Sequence, residues 1–137
     1  MKPKIIVNTN RIIAALIKDS VSRKLIYHAN IEFLGIHFSR KEIEKYKKLI
    51  IKKANITETE FEQLLYQLND KLIFIEEELL NLCMEEAKKI MFKIDPDDVP
   101  FIAAALATGA DIWSDDLHFI KQKRIKVWRT EQLLKFL

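Results

Sequence analysis

The chain has one cysteine, Cys83, and two glycines, Gly35 and Gly109, among its 137 residues. A single thiol excludes an internal disulfide and any zinc centre built from several thiolates. Two isolated glycines exclude the phosphate-cradling loops G-x-x-x-x-G-K-[ST] and G-x-G-x-x-G, so phosphate chemistry here must rest on side chains and metal. No apolar run approaches the ~20 residues needed to cross a bilayer. The first residues pass straight into a short apolar segment with no signal-peptide pattern. The expected setting is therefore the cytoplasm, without a membrane partner. Excess charge is also scarce: 23 Lys and Arg face 20 Asp and Glu, a net charge of +3. Such a balance permits a nucleic-acid partner without demanding one.

What is present suffices for a continuous core. Apolar residues make up 49% of the chain, and residues 1–137 are expected to form one domain. Lys4 to Val7 reads as a buried strand, residues 11 to 17 as a helix, and Ser20 as the cap of a second helix through Tyr27. A second strand is expected over residues 31 to 38, then a helix opened by Ser39 with Ile43, Tyr46, Leu49 and Ile50 at helical spacing. Thr57 and Glu60 match a capping box. Leu72 to Ile75 reads as a third strand, and a helix follows that buries Leu79, Leu82, Cys83, Ala87, Ile90 and Met91. Asp95 with Pro96 opens the next helix and Gly109 closes it. Ile112-Trp113 and Ile125 to Trp128 are the remaining strands. Leu117 to Lys121 is a short helix between them, and Thr130 caps the last helix. Strands alternating with helices indicate an α/β/α sandwich around a mainly parallel sheet.

Three expected strand-to-helix junctions carry acids or amides: Val7-Asn8-Thr9-Asn10, Asp95-Pro96-Asp97-Asp98 and Ser114-Asp115-Asp116. In an open parallel sheet the carboxyl ends of the strands line one crevice, where ligands bind. Carboxylates gathered there repel one another, and a hard divalent cation relieves them. The pattern points to a metal-dependent enzyme acting on phosphates. Asp98 shares a helical face with Phe101, Ile102 and Ala105, which aims it at the core, where an unpaired charge is expensive. Helix-end decoration accounts for Asp97, and capping for much of Asp95. Asp116 reads as a site acid or as part of a cap. Glu42 likewise stands at the sheet edge or closes a capping box with Ser39. Asn8 and Asn10 alternate with Thr9 as the first strand ends and so share a direction, as a turn signal or as the inner wall of a site.

These stretches, with Glu42-Ile43-Glu44-Lys45-Tyr46 and the run Asp98-Val99-Pro100-Phe101-Ile102-Ala103-Ala104-Ala105, occur in an order that resembles a PIN domain. The similarity is to the small free-standing prokaryotic kind related to the VapC toxins. It implies a three-layer α/β/α sandwich with a mainly parallel central sheet, and cleavage of single-stranded RNA with Mg2+ or Mn2+. Position by position, the family's catalytic and metal-binding set falls on Asn8, Glu42, Asp98 and Asp116. Asn10 and Ser114 fall on supporting positions, and Asp95 on a further acid. Family members carry aspartate where this chain has Asn8. An amide oxygen can ligate a hard cation but brings no charge and cannot act as a base.

The resemblance also implies an antitoxin protein as partner and a homodimer, for which the apolar helix over Ile12 to Ile17 is a candidate surface. Arg11, beside the acids, is the first candidate for RNA contact, ahead of the basic residues within Lys45 to Lys53 and the stretch Lys121, Lys123, Arg124 and Lys126. The histidines lack ligand spacing, and His118 reads as a surface residue. Tyr46, Trp113, Trp128 and Cys83 read as core. The alternative, for which Asn8 is the reason, is a catalytically impaired PIN-like module that binds RNA or protein. A response-regulator-like domain is disfavoured because no acidic pair follows the first strand.

Overall fold

The computed structural model describes residues 2–18 and 20–137. The first strand, β1 (Lys4–Val7), is short, apolar and buried on both faces. Asn8 stops it. Its backbone is still extended while its side-chain oxygen accepts the N–H of Asn10, so α1 (Thr9–Ile17) begins at once. Helix α2 (Val21–His28), capped by Ser20, and β2 (Glu32–Gly35) follow. The chain then gives α3 (His37–Lys45), α4 (Lys47–Ala54) and α5 (Glu58–Asp70) before β3 (Ile73–Phe74). After α6 (Glu77–Asn81) and α7 (Met84–Met91), a 3-10 turn over Pro96–Asp98 leads into α8 (Val99–Thr108). The last elements are β4 (Asp111–Trp113), α9 (Leu117–Ile120), β5 (Val127–Trp128) and α10 (Thr130–Leu133), with a 3-10 turn over Leu134–Phe136.

Among the described residues the sheet has five strands in the order β3-β2-β1-β4-β5, every pair parallel. Alternation along the strands sorts the core into two layers. Ile5, Val7, Phe33 and Trp113 pack on one face with residues from α1, α2, α4 and α5. Ile6, Leu34 and Ile112 pack on the other with α7 and α8. The fold is thus the expected α/β/α sandwich. Helix α8 is apolar on nearly every side, and Phe101, Ile102, Ala103, Ala104 and Ala105 are all buried. Three consecutive alanines let it lie close between α7 and the sheet, which draws its first turn into the edge. The chain passes from β1 to β2 over one face of the sheet and returns from β3 to β4 over the other, so the crevice at the carboxyl ends opens between β1 and β4.

Several local expectations are corrected. Strand β2 stops at Gly35 and α3 begins at His37, so Ser39 lies inside the helix rather than capping it. The helix breaks at Tyr46, which leaves Tyr46 and Leu49 exposed instead of in the core. The long helix expected before Asp95 is two short ones, broken at Leu82 and Cys83, and Leu79 and Leu82 face solvent. Asp116 is itself the cap of α9, and Arg129 precedes α10, with Thr130 its first residue rather than its cap. Ile12, Ala15 and Leu16 are consumed by the core, so that face of α1 is closed to a partner. Thr57 and Glu60 form both bonds of the capping box, and Gly109 closes α8 at φ 74°, a backbone angle suited to glycine. No helix among the described residues is long and apolar enough to cross a membrane.

Candidate metal centre

Asp98 ends the 3-10 turn and begins α8. Asp95 caps that turn with Oδ1 accepting the N–H of Asp97 at 3.0 Å, and Pro96 occupies the first helical position. With α8 packed into the sheet, Asp98 is only 8% exposed, and its Oδ2 is buried without a hydrogen-bond partner. Burial, then the nearby charges of Asp95 and Asp116, push its carboxyl up to about 7. His118 opposes that rise and Glu42 adds to it. The helix N-terminus favours an anion at this point. Desolvation and three neighbouring carboxylates outweigh it.

Asp116 follows β4. Ser114, buried at the strand end, accepts the N–H of Asp116 on its hydroxyl at 3.0 Å and so sets the turn. Asp116 Oδ1 then accepts the N–H of His118 at 2.9 Å as the cap of α9. That bond brings the imidazole round to the acids: His118 Nδ1 lies 3.0 Å from Asp95 Oδ2 and 3.5 Å from Asp116 Oδ1. Asp95, Asp98 and His118 each offer a ligand atom within 4.8 Å of the others.

Glu42 comes from the other side of the crevice, on α3. It closes no capping box, because the helix begins five residues earlier. Its Oε1 accepts the Thr9 hydroxyl at 2.6 Å. Thr9 has one hydroxyl proton and gives it to Glu42, so the Ser39 hydroxyl, 2.8 Å away, donates to Thr9. The relay Ser39–Thr9–Glu42 fixes the carboxylate across 33 residues of sequence. Burial raises the Glu42 carboxyl above its ordinary range against the Thr9 bond; Asp97 and Asp95 raise it further, and Lys45 lowers it. Glu42 therefore shares one electrostatic field with the Asp95–Asp98 turn.

The remaining candidates separate. Asn8 is buried at the end of β1, with its N–H on the Trp113 carbonyl, and so stands beside the strand that leads to Ser114. Asn10 is exposed, and its backbone, not its side chain, meets Asn8. The strand alternation that would have aligned Asn8 with Asn10 ends at Asn8, because Thr9 is already helical. Thr9 is the residue that supports an acid. Arg11 faces Asp115 at 2.9 Å rather than open solvent beside the site. Asp115 also takes the Thr130 N–H at 2.8 Å and the Thr130 hydroxyl at 2.6 Å. Burial pushes the Asp115 carboxyl up, but the two Thr130 bonds and then Arg11 hold it below its usual range.

Thr9 and His118 were missed in the sequence. For Thr9 the signal was the cap at Asn8, which ends the strand. For His118 it was its place two residues after an acid that caps a helix.

A parallel sheet with carboxylates gathered in its switch-point crevice defines a class: α/β sandwich proteins whose acidic centre can hold a divalent cation. The donors fit such an ion, being oxygen-rich, in mutual repulsion and left with one buried oxygen unpaired. The chain matches the family model described as PIN domain over residues 6–137, nearly its whole length, and it belongs to that family. PIN domains are typically metal-dependent nucleases, which makes a hydrolase of nucleic-acid phosphodiesters the family-level expectation. No curated protein and no solved structure matches the chain significantly.

Proposed function

We propose that this chain is a metal-dependent endoribonuclease that cuts single-stranded RNA at the crevice between β1 and β4. The observation that carries the reading is Asp98: a buried carboxylate with an unpaired oxygen, held among Asp95, Asp116 and Glu42. Asp98, Asp116 and Glu42, with Asp95 beside them and Asn8 as a neutral oxygen donor, would hold Mg2+ or Mn2+. When bound, such a cation supplies an acidified water and stabilises charge on the scissile phosphate.

The protein's own work is positioning. Ser114 fixes the turn that presents Asp116, and the Ser39–Thr9 relay fixes Glu42. Lys45, close enough to lower the Glu42 carboxyl, begins the basic stretch to Lys53 that would meet the RNA backbone. Arg11, tied to Asp115, would act there only by holding the wall of the crevice. Nothing in this arrangement reads a base edge, which suits a substrate recognised by its backbone. The same reading makes the chain a candidate toxin of a toxin–antitoxin pair, a cytoplasmic homodimer with an antitoxin protein as partner.

A second reading rests on Asn8. Its side-chain oxygen is engaged as the cap of α1, and it brings no charge where an acid would help hold a cation. On that reading the chain is an impaired PIN-like module that binds RNA or protein. Incubating labelled single- and double-stranded RNA with the protein and Mn2+ or Mg2+ separates the two. The nuclease reading expects cleavage of the single strand that Asp98→Asn abolishes. An inert wild type, with Mn2+ binding unchanged in Asp116→Asn, leaves only the binding module.

A further inference from the structure

We infer that His118 Nδ1 is a direct ligand of this centre, and that it turns the site's preference from Mg2+ towards a divalent transition metal such as Mn2+. The inference rests on the reading of the crevice as a metal site and names the cation class that site selects.

Spacing comes first. Adjacent ligands around a six-coordinate cation with bonds of about 2.1 Å sit ~3 Å apart. Without a cation, His118 Nδ1 hydrogen-bonds Asp95 Oδ2 at 3.0 Å, and Asp116 Oδ1 is 3.5 Å from the same nitrogen. These atoms already stand at ligand spacing, and a bound cation would take the place of the shared proton. The third member, Asp98, has an oxygen within 4.8 Å of the other two. Its Oδ2 is buried and unpartnered, an independent sign that a group from outside completes the site.

The imidazole is also placed by design of the surrounding fold. Asp116 holds the His118 N–H, and the next residue, Phe119, is fully buried. Phe119 packs edge-on against Phe101 of α8, with ring centres 6.2 Å apart. The short helix bearing His118 is thereby fastened to the helix that Asp98 begins.

Donor chemistry sets the direction. Mg2+ demands near-ideal octahedral geometry and dehydrates reluctantly. Imidazole nitrogen suits first-row ions such as zinc, iron and nickel best, and Mn2+, the weakest of that series, still accepts it more readily than Mg2+ does. His118 adds a nitrogen that a hard ion uses poorly, whereas Asn8 withholds charge from either cation and sets no preference, so the selectivity rests on the imidazole.

Pulsed electron paramagnetic resonance of the full chain with Mn2+ reads the nitrogen directly, and calorimetric titration with Mn2+ and Mg2+ reads the preference. The wild type is expected to show nitrogen modulation on bound Mn2+, lost in His118→Gln. Mn2+ affinity should fall about tenfold or more in that variant while Mg2+ affinity changes less than about threefold. The ring is 43% exposed, so glutamine is accommodated without repacking. Mn2+ that binds through Asp98, judged by its loss in Asp98→Asn, yet shows no nitrogen modulation would overturn the inference and leave the nuclease reading standing. A wild type that binds Mg2+ but not Mn2+ would overturn the inference alone, and one that binds neither cation would overturn both.

Discussion

Asp115 and Asp116 are neighbours in the chain and live in opposite electrostatic regimes. Asp115 turns to Arg11 and Thr130, where two hydrogen bonds and an ion pair meet its oxygens, and its carboxyl is held below the usual range. Asp116 turns the other way, towards Asp95, Asp98 and His118, and its charge helps push Asp98 up to about 7. One region pairs opposite charges, and its single unmatched buried atom, the Arg11 Nε, belongs to a guanidinium that is already ion-paired. The other gathers like charges and leaves a buried carboxylate oxygen with none. A folded chain keeps such an arrangement only when something else gains from it, since leaving a buried polar atom unmatched costs on the order of 1–3 kcal/mol. The contrast separates acids whose charge is paired from acids held in mutual repulsion.

The sharpest way to break it is Asp98→Asn, which should divide activity from stability. Cleavage of single-stranded RNA is expected to fall at least about a hundredfold, since a carboxylate of the proposed metal centre is lost. Stability should move the other way. The Asp98 carboxyl is raised from 3.8 to about 7, so between those pH values the native chain keeps a proton that the unfolded chain has released. Stability contributed by this group therefore falls as pH rises through that window and levels off above it, by on the order of a few kcal/mol. Asparagine removes the dependence. In thermal melts without metal, the variant should exceed the wild type by several degrees at pH 8 and match it near pH 4. Adding Mn2+ at pH 8 should raise the wild-type transition and leave the variant where it was. A variant less stable than wild type at pH 8 would show that Asp98 is paired after all.

Asp115→Ala should behave as the converse. It strands the half-buried Arg11 guanidinium, whose Nε already lacks a partner, and leaves the Thr130 amide and hydroxyl without their acceptor. The expected cost is about 2 kcal/mol, read by urea unfolding, with Mn2+ affinity changed less than about twofold. Thr9→Val is smaller again. It keeps the shape and removes the hydroxyl that opposes the rise of the Glu42 carboxyl, at about 1 kcal/mol of stability. Glu42 then holds its proton to higher pH, so the acidic limb of the cleavage–pH profile should move upward. An unmoved limb would detach Glu42 from the reaction.

The α/β/α layering and the order of the junctions could be read from the residues because strand runs, caps and breakers each act locally: Thr57 with Glu60, Pro96 after Asp95, Gly109 after α8. Glu42 shows where local reading stops. Ser39-Arg40-Lys41-Glu42 fits a capping box, yet α3 starts at His37, and the Ser39 hydroxyl turns to Thr9, thirty residues back. Only the packing of α3 against α1 decides between the two. His118 and Arg11 were exchanged for a similar reason. Proximity in sequence placed Arg11 near the acids, but the turn after β4 sends Asp115 to it and His118 into the cluster. Tyr46 and Leu82 fit apolar helical spacing, which shows a stripe without showing that the helix continues under it.

Asn8→Asp carries the smallest effect on the folded chain and tests which side of the comparison the first strand belongs to. Aspartate keeps the cap, because either carboxylate oxygen can accept the Asn10 N–H, and α1 has no other acid in its first turn to oppose it. Against that gain stands one more negative charge in a crevice where Asp98 and Glu42 are already raised. The two should offset to within about 0.5 kcal/mol in metal-free melts. Metal reverses the balance, since the added charge then faces a cation. Mn2+ affinity should rise several-fold, and single-strand cleavage with it. Unchanged Mn2+ affinity would mean that Asn8 lies beyond the reach of the cation. It would then be a helix cap and nothing more, and belong with Asp115 among the residues whose bonding is complete.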